Sequence, residues 1–203
     1  MVSLLPVCVF NIVAMVGALM ALNTPIPKLF LFRPENFEAL HNDPKNRAEN
    51  LMIVDLLRND LSKIAKPSTV NVPELFKVTQ HGSVLQMTST ITARLKDNTP
   101  LKDIIKATFP CGSVTGAPKK KTMEIISQLE DRQRGLYCGA IAWLDPKTDQ
   151  LGDFGMSVVI RTLEINSQQH FHMGVGAGIT IDSQADEEWQ ECQIKASFLK
   201  YQH

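Results

Sequence analysis

From Met1 to Pro27 the chain carries no charged residue, and the first is Lys28. After Thr24-Pro25-Ile26-Pro27 charges recur regularly, so the leader ends there and a linker over residues 28–42 precedes the folded domain, residues 43–203. Asp43-Pro44 opens a helical pattern, with an acid that can cap the first turn and a proline suited to the first helical position. Met52, Ile53, Leu56, Leu57 and Ile64 recur at the 3.6 period and predict the stripe that faces the core. Glu74–Gln80 and Val84–Leu95 read as strands, the second rich in Thr, Val and Ile. A short helix is expected over Leu101–Thr108, then a Gly/Pro-rich loop, Pro110–Pro118, and a helix ending near Arg134-Gly135. Leu136–Leu144, Phe154–Leu163 and Gln169–Val175 read as strands, and a helix over Gln184–Lys200 closes the chain. Strands and helices are grouped, which predicts an α+β fold with packed helices on an antiparallel sheet.

Composition narrows the functions. The 203 residues have a formal net charge of zero, which gives no electrostatic case for nucleic acid. Cys8, Cys111, Cys138 and Cys192 are far apart and form no CxxC pair, so neither a zinc site nor a disulfide framework is indicated. Reduced thiols in a cytoplasmic protein are the plain reading. The uncharged run Val2–Leu22 is long enough to cross a bilayer. It lacks the positive start of a secretory signal and is interrupted by Pro6, Asn11 and Gly17. A membrane anchor, a buried hairpin and a non-native leader on a truncated gene all stay open at this point.

Several clusters could carry chemistry. On a helical wheel Glu49 and Asp60 fall among the apolar residues of the first long helix. A carboxylate there is costly unless paired or bound to a cation, although Glu49 also lies near a helix start, where the dipole favours an acid. Glu188, Glu191 and Lys195 share one face of the last helix, which suits a solvated ion-pair face or a site. Upstream, Gly174-Val175-Gly176-Ala177-Gly178 runs into Ile179-Thr180-Ile181, read as a continuing strand, so it is no dinucleotide fingerprint. Close approach of a ligand carboxylate to that backbone is one reason for such glycines. Cys111–Pro118 leads into Lys119-Lys120-Lys121, three cations that oppose the helix dipole unless solvated or near an anion. Together these suggest an acid-rich magnesium site beside anion-holding glycines.

Read as words, the segments resemble the chorismate-utilising enzymes. The resemblance rests on Asp43-Pro44-Lys45-Asn46-Arg47-Ala48-Glu49-Asn50-Leu51-Met52-Ile53-Val54-Asp55-Leu56-Leu57-Arg58-Asn59-Asp60-Leu61 and on Gly112–Lys119. Ile160-Arg161-Thr162, Gly176–Ile179, Asp182-Ser183 and the Glu188, Glu191, Lys195 spacing follow in the family's order. Within the family the wording is closer to aminodeoxychorismate synthase component I, because Gln86 stands where anthranilate synthases usually carry a histidine.

The resemblance implies the C-terminal portion of the anthranilate synthase component I-like fold, and roles for its residues. Glu49 and Glu191 would coordinate Mg²⁺, with Glu188 close by, and the metal would hold the ring carboxylate of chorismate. Lys195 would support that carboxylate, and Gln86 would take the histidine's catalytic place. Arg161, Tyr137 and the backbone of Gly176 and Gly178 would hold the enolpyruvyl carboxylate. Ser113, Thr115 and the Gly116 turn would line the ring pocket. Ammonia from a glutamine amidotransferase subunit would become the C4 amino group.

Two departures stand out. Members of the family carry Pro-Ile-Lys-Gly-Thr upstream, whose lysine adds to the ring; here Thr24–Phe30 lacks the glycine and threonine, so Lys28 is not given that role. The family's N-terminal half is also absent. The expectation drawn is a truncated or frameshifted gene whose start lies in unrelated sequence, with a membrane anchor second.

Overall fold

The structure, a computed structural model, describes residues 7–12, 34–81, 84–145, 152–181 and 183–196. Its elements run β1 (Val7–Ile12), α1 (Pro34–Asn42), α2 (Pro44–Ser62), β2 (Asn71–His81), β3 (Val84–Arg94) and α3 (Leu101–Thr108). A 3-10 turn at Gly112–Val114 precedes α4 (Lys119–Leu129), β4 (Ala140–Leu144), β5 (Phe154–Val158), β6 (Glu164–Ile165), β7 (Phe171–His172) and α5 (Ala185–Ala196). Strand pairs among the described residues are antiparallel, as the grouping of elements predicts. The described residues fall into two units, one ending at Ser113 and the next beginning at Val114.

In the first unit β3 is the middle strand of a three-stranded sheet ordered β1-β3-β2. The pleat turns Leu85, Met87, Ser89, Ile91 and Ala93 to one face, and all five are buried. Leu40 of α1, Val54, Leu57 and Leu61 of α2 and Ile104 of α3 are buried in the same unit. Each such side chain is worth roughly 1.5–3 kcal/mol when removed from water. Residues 34–42, read from sequence as linker, are the helix α1, and its Leu40 is fully buried. Val7–Ile12, inside the uncharged run, pairs residue by residue with Arg94–Ser89 along the free edge of β3. Residues 13–33 lie outside the described residues. No described helix is long and apolar enough to cross a membrane.

The cap of α2 is formed as expected: Asp43 Oδ2 accepts from Asn46 N at 2.8 Å and from Asn46 Nδ2 at 2.6 Å. Its buried face matches the predicted stripe only in part, at Leu57 and, just past the helix end, Ile64. The buried positions are Asn46, Asn50, Val54, Leu57, Asp60 and Leu61, whereas Met52 is 43% exposed and Ile53 and Leu56 are half-buried. The cause is a polar residue made compatible with the core. Asn50 Oδ1 accepts a 2.6 Å hydrogen bond from Ser89 Oγ, which in turn accepts from Phe76 N at 3.0 Å. Asp60, the other carboxylate placed on the stripe, is buried and paired with Lys63 Nζ at 2.9 Å.

The second unit is built from hairpins and two helices. β4 pairs with β5 over five residues and β6 with β7 over two. α4 stops at Leu129, short of the predicted Arg134, and the expected strands beyond Val158 shrink to the β6–β7 pair. Ile179-Thr180-Ile181 does not continue as a strand. Thr180 N instead donates to Ser183 Oγ at 3.0 Å and Ser183 N donates to Thr180 O at 3.2 Å, a local turn that leaves Ile179 and Ile181 exposed.

Candidate functional site

Two consecutive tight turns carry the chain from α4 into β4 and set Tyr137 between them. Tyr137 N donates to Arg134 O at 3.1 Å and Gly139 N to Leu136 O at 2.8 Å, with Cys138 at φ 65°. The Tyr137 ring is thereby laid along the glycine segment. A Cβ on Gly174 would overlap the ring, and one on Gly176 would stand 2.8 Å from Tyr137 Oη. These glycines are needed for close packing, not for a phosphate turn. Burial pushes the Tyr137 phenol well above its usual value, the Cys138 thiol adds to this, and Arg134 opposes it. Tyr137 therefore stays a neutral hydroxyl at physiological pH.

Arg161 follows β5 with φ 51°, a left-handed backbone that costs a non-glycine residue on the order of 1 kcal/mol. Its guanidinium is half-buried; burial lowers its pKa and the charge of Glu191 raises it. It remains a cation all the same.

α5 presents Glu188, Glu191 and Lys195 at the predicted spacing. Lys195 Nζ, on a side chain only 16% exposed, donates to Glu191 Oε1 at 2.5 Å and to Gly176 O at 2.8 Å. That bond ties the helix to the glycine segment. Glu188 is 8% exposed, and its carboxylate has no hydrogen bond or ion pair among the described residues. The Cys192 thiol, between these acids, is raised by burial, while Lys195 works the other way. Gly178 stands apart: it is exposed, and a Cβ there would meet nothing within 4 Å.

The loop before α4 is fixed by Gly116, whose φ of 128° suits glycine and whose added Cβ would lie 3.0 Å from Thr122 Cγ2. Beside Thr115 and Gly116, Val114 O accepts from an Arg134 guanidinium nitrogen at 3.0 Å. The first turn of α4 holds Lys119, Lys120 and Lys121 and no acid.

Three predicted site residues belong to the first unit. Glu49 is half-buried on α2, two turns before Leu56, and Gly112 approaches that leucine so closely that a Cβ would lie 2.9 Å from Leu56 Cδ1. Ser113 Oγ shares a 3.1 Å hydrogen bond with Cys111 Sγ. Gln86 on β3 is 5% exposed, and its Nε2 has no hydrogen-bond partner among the described residues. Tyr137, Arg161, Gly176, Glu191 and Lys195 are brought together in the second unit.

Among the described residues no group of three or more His, Cys, Asp or Glu side chains is placed to hold a metal. Glu188 and Glu191 nonetheless fit Mg²⁺, which takes hard oxygens from one or two protein carboxylates and completes its shell with water or substrate.

Sequence reasoning missed Arg134, Glu130 and Cys138. The i,i+4 spacing of Glu130 and Arg134 was the available signal.

Comparison with known proteins places this geometry in a group. Residues 34–201 match the family model described as chorismate binding enzyme. Aminodeoxychorismate synthase component 1 of Klebsiella aerogenes is 44% identical over 165 residues, 81% of this chain and 36% of the relative. Anthranilate synthase component 1 of Aquifex aeolicus is 38% identical over 162 residues, 80% of this chain and 32% of the relative. The crystal structure of anthranilate synthase component I from Streptococcus pneumoniae superposes with a TM-score of 0.73 at 37% identity, covering 81% of this chain and 37% of that one. The chain thus spans about a third of the length of these relatives.

Proposed function

The chain belongs to the chorismate binding enzyme family, and from that premise we propose that it holds chorismate for the reaction of an aminodeoxychorismate synthase component I. The observation that carries this reading is Lys195 bridging Glu191 and the Gly176 carbonyl, with the charge of Glu191 felt by the Arg161 guanidinium. Two cations beside acids and exposed backbone suit a dianionic substrate bound with a divalent ion.

In this reading Arg161 and the neutral Tyr137 hydroxyl take the enolpyruvyl carboxylate, with the backbone of Gly176 and Gly178. Lys195 takes the ring carboxylate. Glu191, with Glu188 beside it, holds Mg²⁺. When bound, that ion neutralises charge gathered on the ring carboxylate. Ser113, Thr115 and Gly116 line the ring. Clamping both carboxylates fixes the orientation of the ring, so that ammonia meets C4 in a defined geometry. Ammonia comes from a glutamine amidotransferase partner, in keeping with relatives named component 1. Gln86, standing where anthranilate synthases usually carry a histidine, favours amination at C4 over anthranilate formation. Turnover draws on elements that the relatives carry in the stretch this chain does not span.

The test is chromatography of products after incubation with chorismate, Mg²⁺ and ammonia, with and without a polypeptide supplying the remainder of a relative. 4-Amino-4-deoxychorismate is expected in the complemented reaction. Anthranilate instead would reassign the reaction, and no product in either case would leave a chorismate-binding domain without catalysis.

A further inference from the structure

The proposed site leaves Arg134 without a task, yet its guanidinium is the most heavily engaged in the second unit. Its Nε donates to Glu130 Oε2 at 2.9 Å and Nη2 to Glu130 Oε1 at 2.6 Å, a two-pronged pair between residues four apart just past the end of α4. Nη1 donates to Val114 O at 3.0 Å. Its Cζ lies 5.8 Å from the centroid of the Tyr137 ring, within cation–π range. The guanidinium holds a carboxylate, a loop carbonyl and an aromatic ring at once, a task for which the planar fork of arginine is suited and lysine is not. Glu130 is held below the usual carboxylate range by the hydrogen bonds from Arg134, and so stays an anion to pair with it.

The two things Arg134 joins are the two sides of the proposed substrate pocket. Val114 adjoins Thr115 and Gly116, on the side assigned to the ring. Tyr137 packs on Gly174 and Gly176, on the side assigned to the enolpyruvyl carboxylate. We propose that Arg134, anchored by Glu130, is a positioning residue that keeps the Val114–Gly116 loop in register with the Tyr137 platform, so that ring and carboxylate are gripped together. The inference rests on the substrate reading given above. The coupling itself exists in the ligand-free chain and can be tested there.

The experiment compares the full chain with Arg134→Met and Glu130→Gln in two measurements. Hydrogen exchange without ligand follows the amides of 114–117 and of 171–178. Calorimetry follows binding of Mg²⁺ alone and of chorismate in its presence. Loss of a charge-assisted hydrogen bond predicts about tenfold faster exchange in both segments, and chorismate binding weakened about tenfold or more in Arg134→Met. Glu130→Gln, which keeps one acceptor, is expected to show a smaller change of the same kind. Affinity for Mg²⁺ alone should stay at the wild-type value, which a general loss of structure would not allow. Unchanged exchange in either segment, or chorismate binding equal to wild type in Arg134→Met, overturns the proposal. If Arg134→Met does not fold, Glu130→Gln decides by the same criteria. If the wild-type chain binds no chorismate, the substrate reading fails, while the exchange data still judge the coupling.

Discussion

The two units solve different problems. Every buried hydrophobic residue among the described ones except Val159 belongs to the first, from Leu40 on α1 to Ile104 on α3. The second leaves Ile141 60%, Trp143 61%, Phe171 63% and Ile181 98% exposed. What organises the second unit is polar and local: the Lys195 bridge between Glu191 and Gly176, the Arg134 clasp, and a tyrosine ring fitted onto glycines. A cored unit gains its stability from burial. A unit without its own core can still place a few charged groups accurately over short distances, but its apolar faces are left for something else to cover.

The largest effect should come from the first unit. Leu85→Ala or Leu61→Ala, at fully buried positions, should cost about 2–5 kcal/mol. Ile141→Ala in the second should stay within about 0.5 kcal/mol. Urea melts read this well. Trp143 and Trp189, the two tryptophans of the chain, both lie in the second unit, so their fluorescence follows that unit while far-ultraviolet circular dichroism follows both. Equal losses at the three positions would erase the distinction drawn between the units.

A smaller effect is expected at the glycines. Gly174→Ala should displace the Tyr137 ring at a cost of about 1–3 kcal/mol, felt by tryptophan fluorescence, while Gly178→Ala should be close to neutral. If both substitutions are silent, close packing of Tyr137 does not hold the site.

The smallest concerns pH. Burial raises both the Tyr137 phenol and the Cys138 thiol. For groups raised on folding, the stabilisation is fully present below their unfolded values and is lost as pH climbs through the folded ones. The second unit should therefore weaken progressively above about pH 8.5, where an ordinary thiol ionises. A melting series followed by tryptophan fluorescence checks the direction, and a gain in stability with rising pH would reverse it.

What could be read from the sequence follows the range of the interactions. The Asp43 cap and α3 at Leu101–Thr108 were legible because a cap and a short helix are decided within a few residues. The buried face of α2 was misjudged because Asn46 and Asn50 occupy it, and only a partner 39 residues away, Ser89, makes Asn50 acceptable there. α1 was missed because Phe37 and Leu40 are too few to establish a period. α4 ends early because Glu130 leaves the helix with its side chain held by Arg134, a contact of the folded turn. At the site, the spacing of Glu188, Glu191 and Lys195 was visible on one helix. Their meeting with Gly176 and Arg161 depends on chain reversals that no local pattern encodes, and it was anticipated through family resemblance alone.

In the function proposed, Glu191, Lys195 and Arg161 together accept chorismate with a divalent ion. The most direct measurement is calorimetric titration of the full chain with chorismate, with and without Mg²⁺, beside Glu191→Ala and Glu187→Ala; Glu187 is an exposed acid on the same helix. The expected result is saturable binding that requires Mg²⁺, disappears in Glu191→Ala and persists in Glu187→Ala. Absence of binding by the wild-type chain, or binding indifferent to both Mg²⁺ and Glu191, would contradict it.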